Sequence, residues 1–241
     1  MSVEMTHRKQ YPIYILLDVS ASMRRPAGGT TPQAAFTRLI PELIMTLADA
    51  PALASTAWLS VIAFSDGPEL LSPMTALAHP AHVREPAPGR ETDYAAALGF
   101  LSQQVGRDAT AINEHGATGL YRTVVAHPLV FVITDGAPYS NGQYQPPRMW
   151  LRYRDRLVGA PTNARIAAIG LAGAHPRVLR ALATGNDRGE RNAFIADPGA
   201  DPAALAASVI NVIERSIKVS VRIGDLIIDA PRGMRRISCP A

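Results

Sequence analysis

Cysteine is almost absent from the sequence, and its scarcity excludes two classes of protein. The 241 residues contain one cysteine, Cys239, close to the C-terminus. A single thiol cannot form an intrachain disulfide, and a zinc site built from several cysteines is excluded as well. We interpret Cys239 as an incidental thiol in a tail, and we expect the protein to work in a reducing compartment.

Long apolar runs are also lacking, and we expect no export signal. No segment approaches the ~20 apolar residues that span a bilayer, and residues 1–10 carry charge without the apolar centre of a signal peptide. Hydrophobic residues nevertheless make up 47% of the sequence, which is enough for a full core. We therefore expect a cytoplasmic globular protein that does not contact a membrane.

Aromatic residues and net charge are low. Aromatic side chains make up 6% of the sequence, and the formal net charge is +4. Proteins that bind nucleic acids concentrate basic residues on one face and often place aromatic residues among them. The composition thus argues against a nucleic-acid partner. We interpret the arginine clusters as solvent-facing helix surfaces; they lie at Arg24–Arg25, Arg148–Arg156 and Arg232–Arg236.

Short apolar runs alternate with helical patterns along the chain. The runs are continuous, as in parallel strands that are buried on both faces. They are Ile13–Leu17, Leu59–Phe64, Leu129–Ile133 and Ile166–Leu171. The helical patterns cover Ala35–Leu47, Tyr94–Val105, Trp150–Leu157, Val178–Leu182 and Leu205–Ile217. This alternation predicts an α/β fold with a doubly wound, mostly parallel central sheet flanked by helices, in which ligands bind beyond the carboxyl ends of the strands.

The pattern changes near the C-terminus. We predict one domain over residues 11–217, preceded by a tail at residues 1–10. After Ile217, apolar residues alternate with polar ones, and Gly224–Asp225 has the composition of a two-residue turn. Residues 218–241 are therefore expected to form a β-hairpin over Val219–Ile228 and a tail. The free edge of such a hairpin could support a homodimer.

Two stretches of the predicted domain are irregular. Thr31–Pro32 is typical of a helix N-terminus, whereas Pro41 in the same pattern is expected to kink the helix or to delay its start. Residues 106–127 lack a sustained periodicity, and we expect them to form a long loop.

Polar side chains with oxygen atoms lie at the ends of the predicted strands. Asp18, Ser20 and Ser22 follow the first strand at alternate positions of one loop, and alternate residues of an extended loop can point the same way. Asp135 follows another strand, and Thr92 precedes a predicted helix. Hard cations such as Mg²⁺ accept carboxylate and hydroxyl oxygens. The sequence therefore predicts a site for one divalent metal ion, Mg²⁺ in the first place and Mn²⁺ or Ca²⁺ as alternatives.

Each of these residues also has a simpler interpretation. Asp18, Ser22 or Thr92 taken singly could cap a helix. Asp135–Gly136 taken singly could form an ordinary turn. The combination, at the tops of three strand-to-helix connections, favours the metal site.

The five positions resemble the metal ion-dependent adhesion site of von Willebrand factor type A domains, in which Asp-x-Ser-x-Ser is joined by a distant Thr and Asp. The resemblance covers roughly Tyr11 to Ile217. It extends to the bacterial tellurium-resistance branch at Ile15–Met23, Trp58–Phe64 and Ile169–Leu171. It implies that the serines and the threonine coordinate the metal directly, while the aspartates act through water or as hydrogen-bond acceptors.

The resemblance also implies a function. The metal would keep much of its positive charge and bind an Asp or Glu of a partner protein. Intracellular members of this branch resemble adaptors in stress-response or defence systems. They often occur together with a protein kinase and a protein phosphatase. A kinase or a phosphatase is therefore the partner that we expect.

One departure from the family pattern and one competing threonine concern the same part of the site. Gly89–Arg90–Glu91 precedes Thr92 in place of a glycine-rich stretch, which would put a guanidinium and a carboxylate beside the site. Thr118 is the competitor, but about ten residues separate it from the next predicted strand, which leaves no room for the intervening helix. We therefore retain Thr92.

Two other functions fit parts of the sequence. A Mg²⁺-dependent phosphohydrolase of the haloacid dehalogenase type needs a second carboxylate where this chain has Ser20. The serine-hydrolase elbow and the Walker phosphate-binding loop are absent as well, so we do not expect an enzyme. A role in a ribonucleoprotein particle would use Arg232, Arg235 and Arg236, which form only a small basic footprint.

Overall fold

The computed structural model describes residues 6–26, 29–116, 121–186 and 189–238. Its strands are β1 (Thr6–Asp18), β2 (Ala57–Phe64), β3 (Pro68–Ala76), β4 (Tyr121–Val125), β5 (Leu129–Thr134), β6 (Tyr139–Ser140), β7 (Gln143–Tyr144), β8 (Arg165–Gly170), β9 (Ala193–Ala196) and β10 (Met234–Arg236). Eight of them form one sheet in the order β10-β9-β8-β5-β1-β2-β3, with β4 paired to β1, and β6 and β7 form a separate ribbon.

The helices lie between these strands. They are α1 (Pro32–Ala48), α2 (Pro51–Ala54), α3 (Tyr94–Gly116), α4 (Pro147–Val158), α5 (Pro176–Leu182) and α6 (Pro202–Ile223). Among the described residues, no helix combines the length and the apolar character needed to cross a bilayer.

The four strands predicted from the apolar runs form the centre of the sheet. β1 pairs in parallel with β2 and β5, and β5 pairs in parallel with β8. The edge strands β3 and β10 pair antiparallel with their neighbours. The predicted doubly wound, mostly parallel α/β sheet is confirmed.

Side chains of β1 build two cores on opposite faces of the sheet. Ile13, Ile15 and Leu17 belong to a cluster that includes residues of α1 and α6. Tyr14 and Leu16 belong to a second cluster, with residues of α3, α4 and α5. Because successive side chains of a strand point to opposite faces, a strand covered on both sides is apolar at every position.

The start of α1 is as predicted. The side chain of Thr31 accepts a 3.1 Å hydrogen bond from the N–H of Ala34, and Pro32 is the first helical residue. The helix runs through Pro41 to Ala48, so the expectation that Pro41 delays its start is wrong. A proline removes one helical hydrogen bond, and the burial of an apolar face that includes Phe36 outweighs that loss.

The predicted loop at residues 106–127 is wrong. α3 continues to Gly116, and β4 follows at Tyr121–Val125. The helix is held by a buried carboxylate, because Asp108 accepts a 2.8 Å hydrogen bond from the hydroxyl of Tyr14. A charged residue on the buried face interrupts the apolar periodicity, which is why the pattern is not recognisable as helix. The competing threonine, Thr118, lies outside the described residues.

The predicted hairpin at Val219–Ile228 is also wrong, because α6 extends to Ile223 and ends at Gly224 in a left-handed conformation, with φ 91°. Ser216 and Ser220 lie on the buried face of this helix. Their hydroxyls bond the returning chain: Ser216 donates to the carbonyl of Ile227 at 2.5 Å, and Ser220 accepts its N–H at 3.0 Å. Ser220, a polar residue of the predicted strand alternation, is thus a buried helical position. The homodimer hypothesis rested on this hairpin and loses its basis.

Both expected domain boundaries fall inside secondary structure. β1 begins at Thr6, within the expected tail, and its first part pairs with β4. α6 crosses the boundary at residue 217, and Leu226, Ile228 and Met234 beyond it are buried in the first core cluster. The C-terminal segment is therefore part of the domain as far as residue 238, where the described residues end. Cys239 lies outside the described residues.

Candidate metal centre

The site lies where β1 and β5 end side by side. Leu17 of β1 is paired with Ile133 of β5, so the next residues of the two strands emerge together at the carboxyl edge of the sheet. Asp18 ends β1, and Asp135 follows β5 directly. The adjacency that the prediction required is thus present, at the position where α/β sheets bind ligands.

Asp18 is fixed from two directions. Its side chain is fully buried. The backbone N–H of Ser20 donates to Oδ1 at 2.9 Å, and the hydroxyl of Thr134 donates to Oδ2 at 2.6 Å. A buried carboxylate needs such donors to offset the loss of hydration, and here they orient it toward the loop that follows.

The two serines connect Asp18's loop to the second carboxylate. The hydroxyl oxygens of Ser20 and Ser22 lie 3.1 Å apart, and Ser22 donates to Asp135 Oδ1 at 2.7 Å. A short 3₁₀ turn begins at Ser22, while the N–H of Val19 is anchored on the carbonyl of Phe64 at 2.9 Å.

The hydroxyl of Thr92 reaches the same point from a third loop. The backbone of Thr92 exchanges two hydrogen bonds with Tyr139, of 3.1 and 3.0 Å. A Cβ built on Gly136 would lie 2.7 Å from Thr92 Oγ1 and 3.4 Å from Asp18 Oδ2. The absence of a side chain at Gly136 therefore lets the hydroxyl and the carboxylate approach each other. All five predicted residues come together.

The helix-cap interpretations of Ser22 and Thr92 are not borne out. The N-cap of α1 is Thr31, and Ser22 does not cap the 3₁₀ turn that it begins. The carboxylate of Asp93, rather than Thr92, accepts the N–H of Ala96 at 2.8 Å in the first turn of α3. The side chains of Ser22 and Thr92 are thus not used as helix caps.

Burial raises the pKa of both carboxylates. Burial raises the pKa of Asp18 to about 7, although hydrogen bonds from Thr134 and Ser20 oppose the rise. Burial also raises the pKa of Asp135, against the hydrogen bond from Ser22 and the nearby charge of Arg25. Two adjacent carboxylates that are costly to ionise are stabilised by a bound cation.

The donor set fits a hard divalent cation. Three hydroxyls and two carboxylates supply only oxygen, the ligand atom that Mg²⁺, Mn²⁺ and Ca²⁺ prefer. In the described part of the chain, no group of three or more His, Cys, Asp and Glu side chains could hold a metal ion. The residues that would hold the ion are Asp18, Ser20, Ser22, Thr92 and Asp135.

Several residues that support the site were not predicted from the sequence. Thr134 holds Asp18, and its oxygen accepts the N–H of Gly136 at 3.1 Å. Asp93 accepts hydrogen bonds from Ser140 Oγ and Gln145 Nε2, both at 2.7 Å, and so ties α3 to the β6–β7 ribbon. Thr134 ends an apolar run, and that polar end is the only signal in the sequence that could have identified it.

The carboxylate expected beside the metal has another role. Glu91 accepts the backbone N–H groups of Asn141 and Gly142 at 2.6 and 2.7 Å, and these residues form the turn of the β6–β7 ribbon. The carbonyl of Arg90 accepts the N–H of Ala21 at 3.2 Å. Glu91 therefore fastens the ribbon through its side chain, and the backbone of Arg90 fastens the first loop.

Comparison with known proteins identifies the family. The sequence profile of the von Willebrand factor type A domain matches residues 13–137, just over half of the chain. The chain belongs to this family, as the five site residues predicted. Domains of this family typically bind a divalent metal at this site and commonly mediate protein–protein interaction. A comparison with curated protein sequences gives no match.

Solved structures show the same fold at low sequence identity. Proximal thread matrix protein 1 from the mussel byssus has a TM-score of 0.54 and 17% identity, over 84% of this chain and 48% of its own. A von Willebrand factor type A protein from Catenulispora acidiphila has a TM-score of 0.50 and 16% identity, over 87% and 42%. A variant of the PilB minor pilin from Streptococcus sanguinis has a TM-score of 0.57 and 9% identity, over 92% of this chain and 64% of its own. This chain spans less than half of the mussel and Catenulispora chains.

Proposed function

We propose that the protein is a binding module that takes up an Asp or Glu side chain of a partner protein through a divalent metal, with Mg²⁺ as the physiological ion. The observation that carries the proposal is the convergence of Ser20, Ser22, Thr92, Asp18 and Asp135 at the sheet edge. Three of the five donors are neutral hydroxyls, so the ion would retain much of its charge and attract an external carboxylate.

The residues divide into two roles. The hydroxyls of Ser20, Ser22 and Thr92 would contact the ion, as the family resemblance implies. Asp18 and Asp135 would act through water or as hydrogen-bond acceptors for the serines, which the bonds from Ser20 N and Ser22 Oγ support. When bound, the ion supplies a strong, directional bond to a carboxylate.

An exposed aromatic surface next to the site supports a protein as the partner. Tyr139 and Tyr144 are paired across the β6–β7 ribbon and are 44% and 48% exposed, and Met149 at the start of α4 is 44% exposed. Tyr and Met are enriched in protein interfaces. Because the backbone of Tyr139 is bonded to Thr92, this surface is fixed relative to the metal site.

We further propose binding rather than catalysis. A phosphohydrolase of the type considered above would need a carboxylate at the position of Ser20.

A ribonucleoprotein role is disfavoured because the guanidinium of Arg236 binds other parts of the same chain. Its guanidinium lies 4.8 Å from the ring centroid of Phe194 and donates to the carbonyls of Arg191 and Ile228 at 3.0 and 2.9 Å.

The proposed setting is a cytoplasmic adaptor in a bacterial stress-response or defence system. The resemblance of Ile15–Met23, Trp58–Phe64 and Ile169–Leu171 to the tellurium-resistance branch motivates this setting. A protein kinase or a protein phosphatase is the proposed partner.

An affinity capture from native lysate tests the function. The tagged full chain is compared in Mg²⁺, in EDTA, and as Asp18→Ala in Mg²⁺. Asp49→Ala serves as the matched control, because Asp49 is an exposed carboxylate at the C-terminal end of α1. A protein retained only by the wild type and Asp49→Ala in Mg²⁺ supports the proposal. The same proteins in all lanes would refute metal-dependent binding.

A further inference from the structure

A cleft that opens beside the metal site suggests how a partner segment is recognised. We infer that this cleft receives a large apolar side chain of the same partner segment whose Asp or Glu binds the metal. The inference rests on the proposed function and adds the chemical class of the ligand: an acidic residue with a Leu, Ile, Phe or Met close to it in sequence.

The cleft shares a wall with the metal site. It has a volume of about 390 Å³, and its lining includes Ser22 and Asp135. The opposite walls come from the β8–α5 loop and the start of α6, with Leu171, Ala172 and Leu205. A carboxylate at the metal and a side chain in the cleft would therefore belong to neighbouring residues of one segment.

The lining of the cleft favours an apolar occupant. Apolar side chains and glycine make up most of it, including Ala200 and Pro202. Among its described lining residues, Arg25 is the one cation and Asp135 the one carboxylate. Asp135 already accepts a hydrogen bond from Ser22, and Arg25 at the rim attracts a segment that carries negative charge.

The far wall is rigid. The N–H of Leu171 donates to the carbonyl of Thr134 at 2.8 Å, and Leu171 and Leu205 are 3% and 6% exposed within the core. Gly173 adopts φ +102°, and a Cβ there would lie 3.1 Å from the carbonyl oxygen of Asp135. The loop is thus packed against the β5 end of the metal site, so the cleft is formed before a ligand arrives, which lowers the cost of binding.

The volume suits one large side chain. An apolar cavity of about 150 Å³ holds a benzene molecule, so the cleft has room for a Phe or Leu side chain and part of the adjoining backbone. Burial of such a side chain should strengthen binding by about ten- to a hundredfold. The metal alone would not distinguish one acidic segment from another, whereas the cleft would.

A peptide selection on the full chain tests the inference. Phage-displayed peptides with a fixed central Asp and random flanking residues are selected on the immobilised protein in Mg²⁺, with parallel selections in EDTA and on Asp18→Ala. The selection is repeated on Ala172→Gln, which places a polar side chain at the cleft, and on Ala204→Gln as the matched control. Both alanines are exposed, and Ala204 does not line the cleft, so both variants should fold; circular dichroism checks this.

The expected result is a metal-dependent set of peptides with a large apolar residue at a fixed spacing from the Asp. The best peptide, followed by fluorescence anisotropy, should bind Ala172→Gln about tenfold more weakly than the wild type, and Ala204→Gln equally well. Metal-dependent peptides without an apolar preference, or with one that Ala172→Gln leaves unchanged, would overturn the cleft inference and leave the proposed function intact. No metal-dependent enrichment on the wild type would overturn both.

Discussion

The hydroxyl of Thr134 donates a 2.6 Å hydrogen bond to Asp18 Oδ2, across the central strand pair of the sheet. Thr134 is fully buried and ends β5, whereas Asp18 ends β1. The bond lowers the pKa of Asp18 against the larger, opposite effect of burial. A residue that would not touch the metal thereby helps to keep the site ionised and oriented, as the supporting residues of metal sites commonly do.

The first prediction concerns this bond. Thr134→Val keeps the shape of the side chain and removes the donor, so Asp18 should become harder to ionise and less well oriented. We expect the Mg²⁺ affinity at pH 7.5, measured by isothermal titration calorimetry, to fall by about tenfold. Thr46→Val is the control, because Thr46 is exposed on α1 and its hydroxyl donates to the carbonyl of Glu42 within the same helix. Equal affinities for the two variants would mean that the bond does not support the metal.

The second prediction concerns the space at Gly136. A methyl group there would lie 2.7 Å from Thr92 Oγ1, so Gly136→Ala should displace the threonine hydroxyl from the site. We expect a metal affinity at least about tenfold lower, with a loss of folding free energy of ~1–3 kcal/mol from the added volume. Gly67→Ala is the matched control, because a Cβ at Gly67 meets no atom within 4 Å. A tight metal site in Gly136→Ala would show that Thr92 is not a ligand.

The third prediction concerns pH. The pKa of Asp18 is raised from 3.8 to about 7 by burial, so the metal-free folded state binds a proton that the unfolded chain has lost. The free energy of unfolding contributed by Asp18 is therefore greatest below pH 4 and declines as the pH rises to about 7. Asp18→Asn should remove this dependence and, in EDTA at pH 8, raise the midpoint of thermal unfolding by ~5 °C.

Thermal unfolding of wild type and Asp18→Asn, followed by circular dichroism between pH 4 and pH 8 in EDTA, checks this expectation. Other carboxylates titrate in both proteins, so the difference between the two curves is the quantity of interest. A difference that does not change with pH would show that Asp18 is already ionised throughout this range.

The fourth prediction separates partner binding from metal binding. Tyr144→Ala removes an exposed ring from the β6–β7 ribbon, and Tyr144 is not one of the five site residues. We expect the Mg²⁺ affinity to stay the same and the affinity for the captured partner to fall by about tenfold or more, as for an aromatic residue in an interface. Met45→Ala, at a 56% exposed position of α1, should leave both affinities unchanged. A partner affinity that does not respond to Tyr144→Ala would place the interface elsewhere.

Much of the fold and most of the site follow from the sequence alone. Parallel strands covered on both faces must be apolar throughout, so continuous runs such as Ile13–Leu17 identify the centre of the sheet. Parallel strands also end at the same edge, so Asp18 and Asp135 could be assigned to one site once their strands were recognised. The serines followed from their spacing after Asp18. These inferences depend only on local pattern and on the polarity of parallel strands.

The full extent of α3 and α6 was decided by tertiary contacts that leave no local pattern in the sequence. Asp108 interrupts an apolar face, yet α3 continues because its carboxylate meets the hydroxyl of Tyr14 on a distant strand. Ser220 belongs to an apolar–polar alternation that suggests a strand, yet it is helical because its hydroxyl accepts the N–H of Ile227 from the returning chain. A buried polar group is stable only where a partner satisfies it, and for these residues the partner is brought close only by the folded chain.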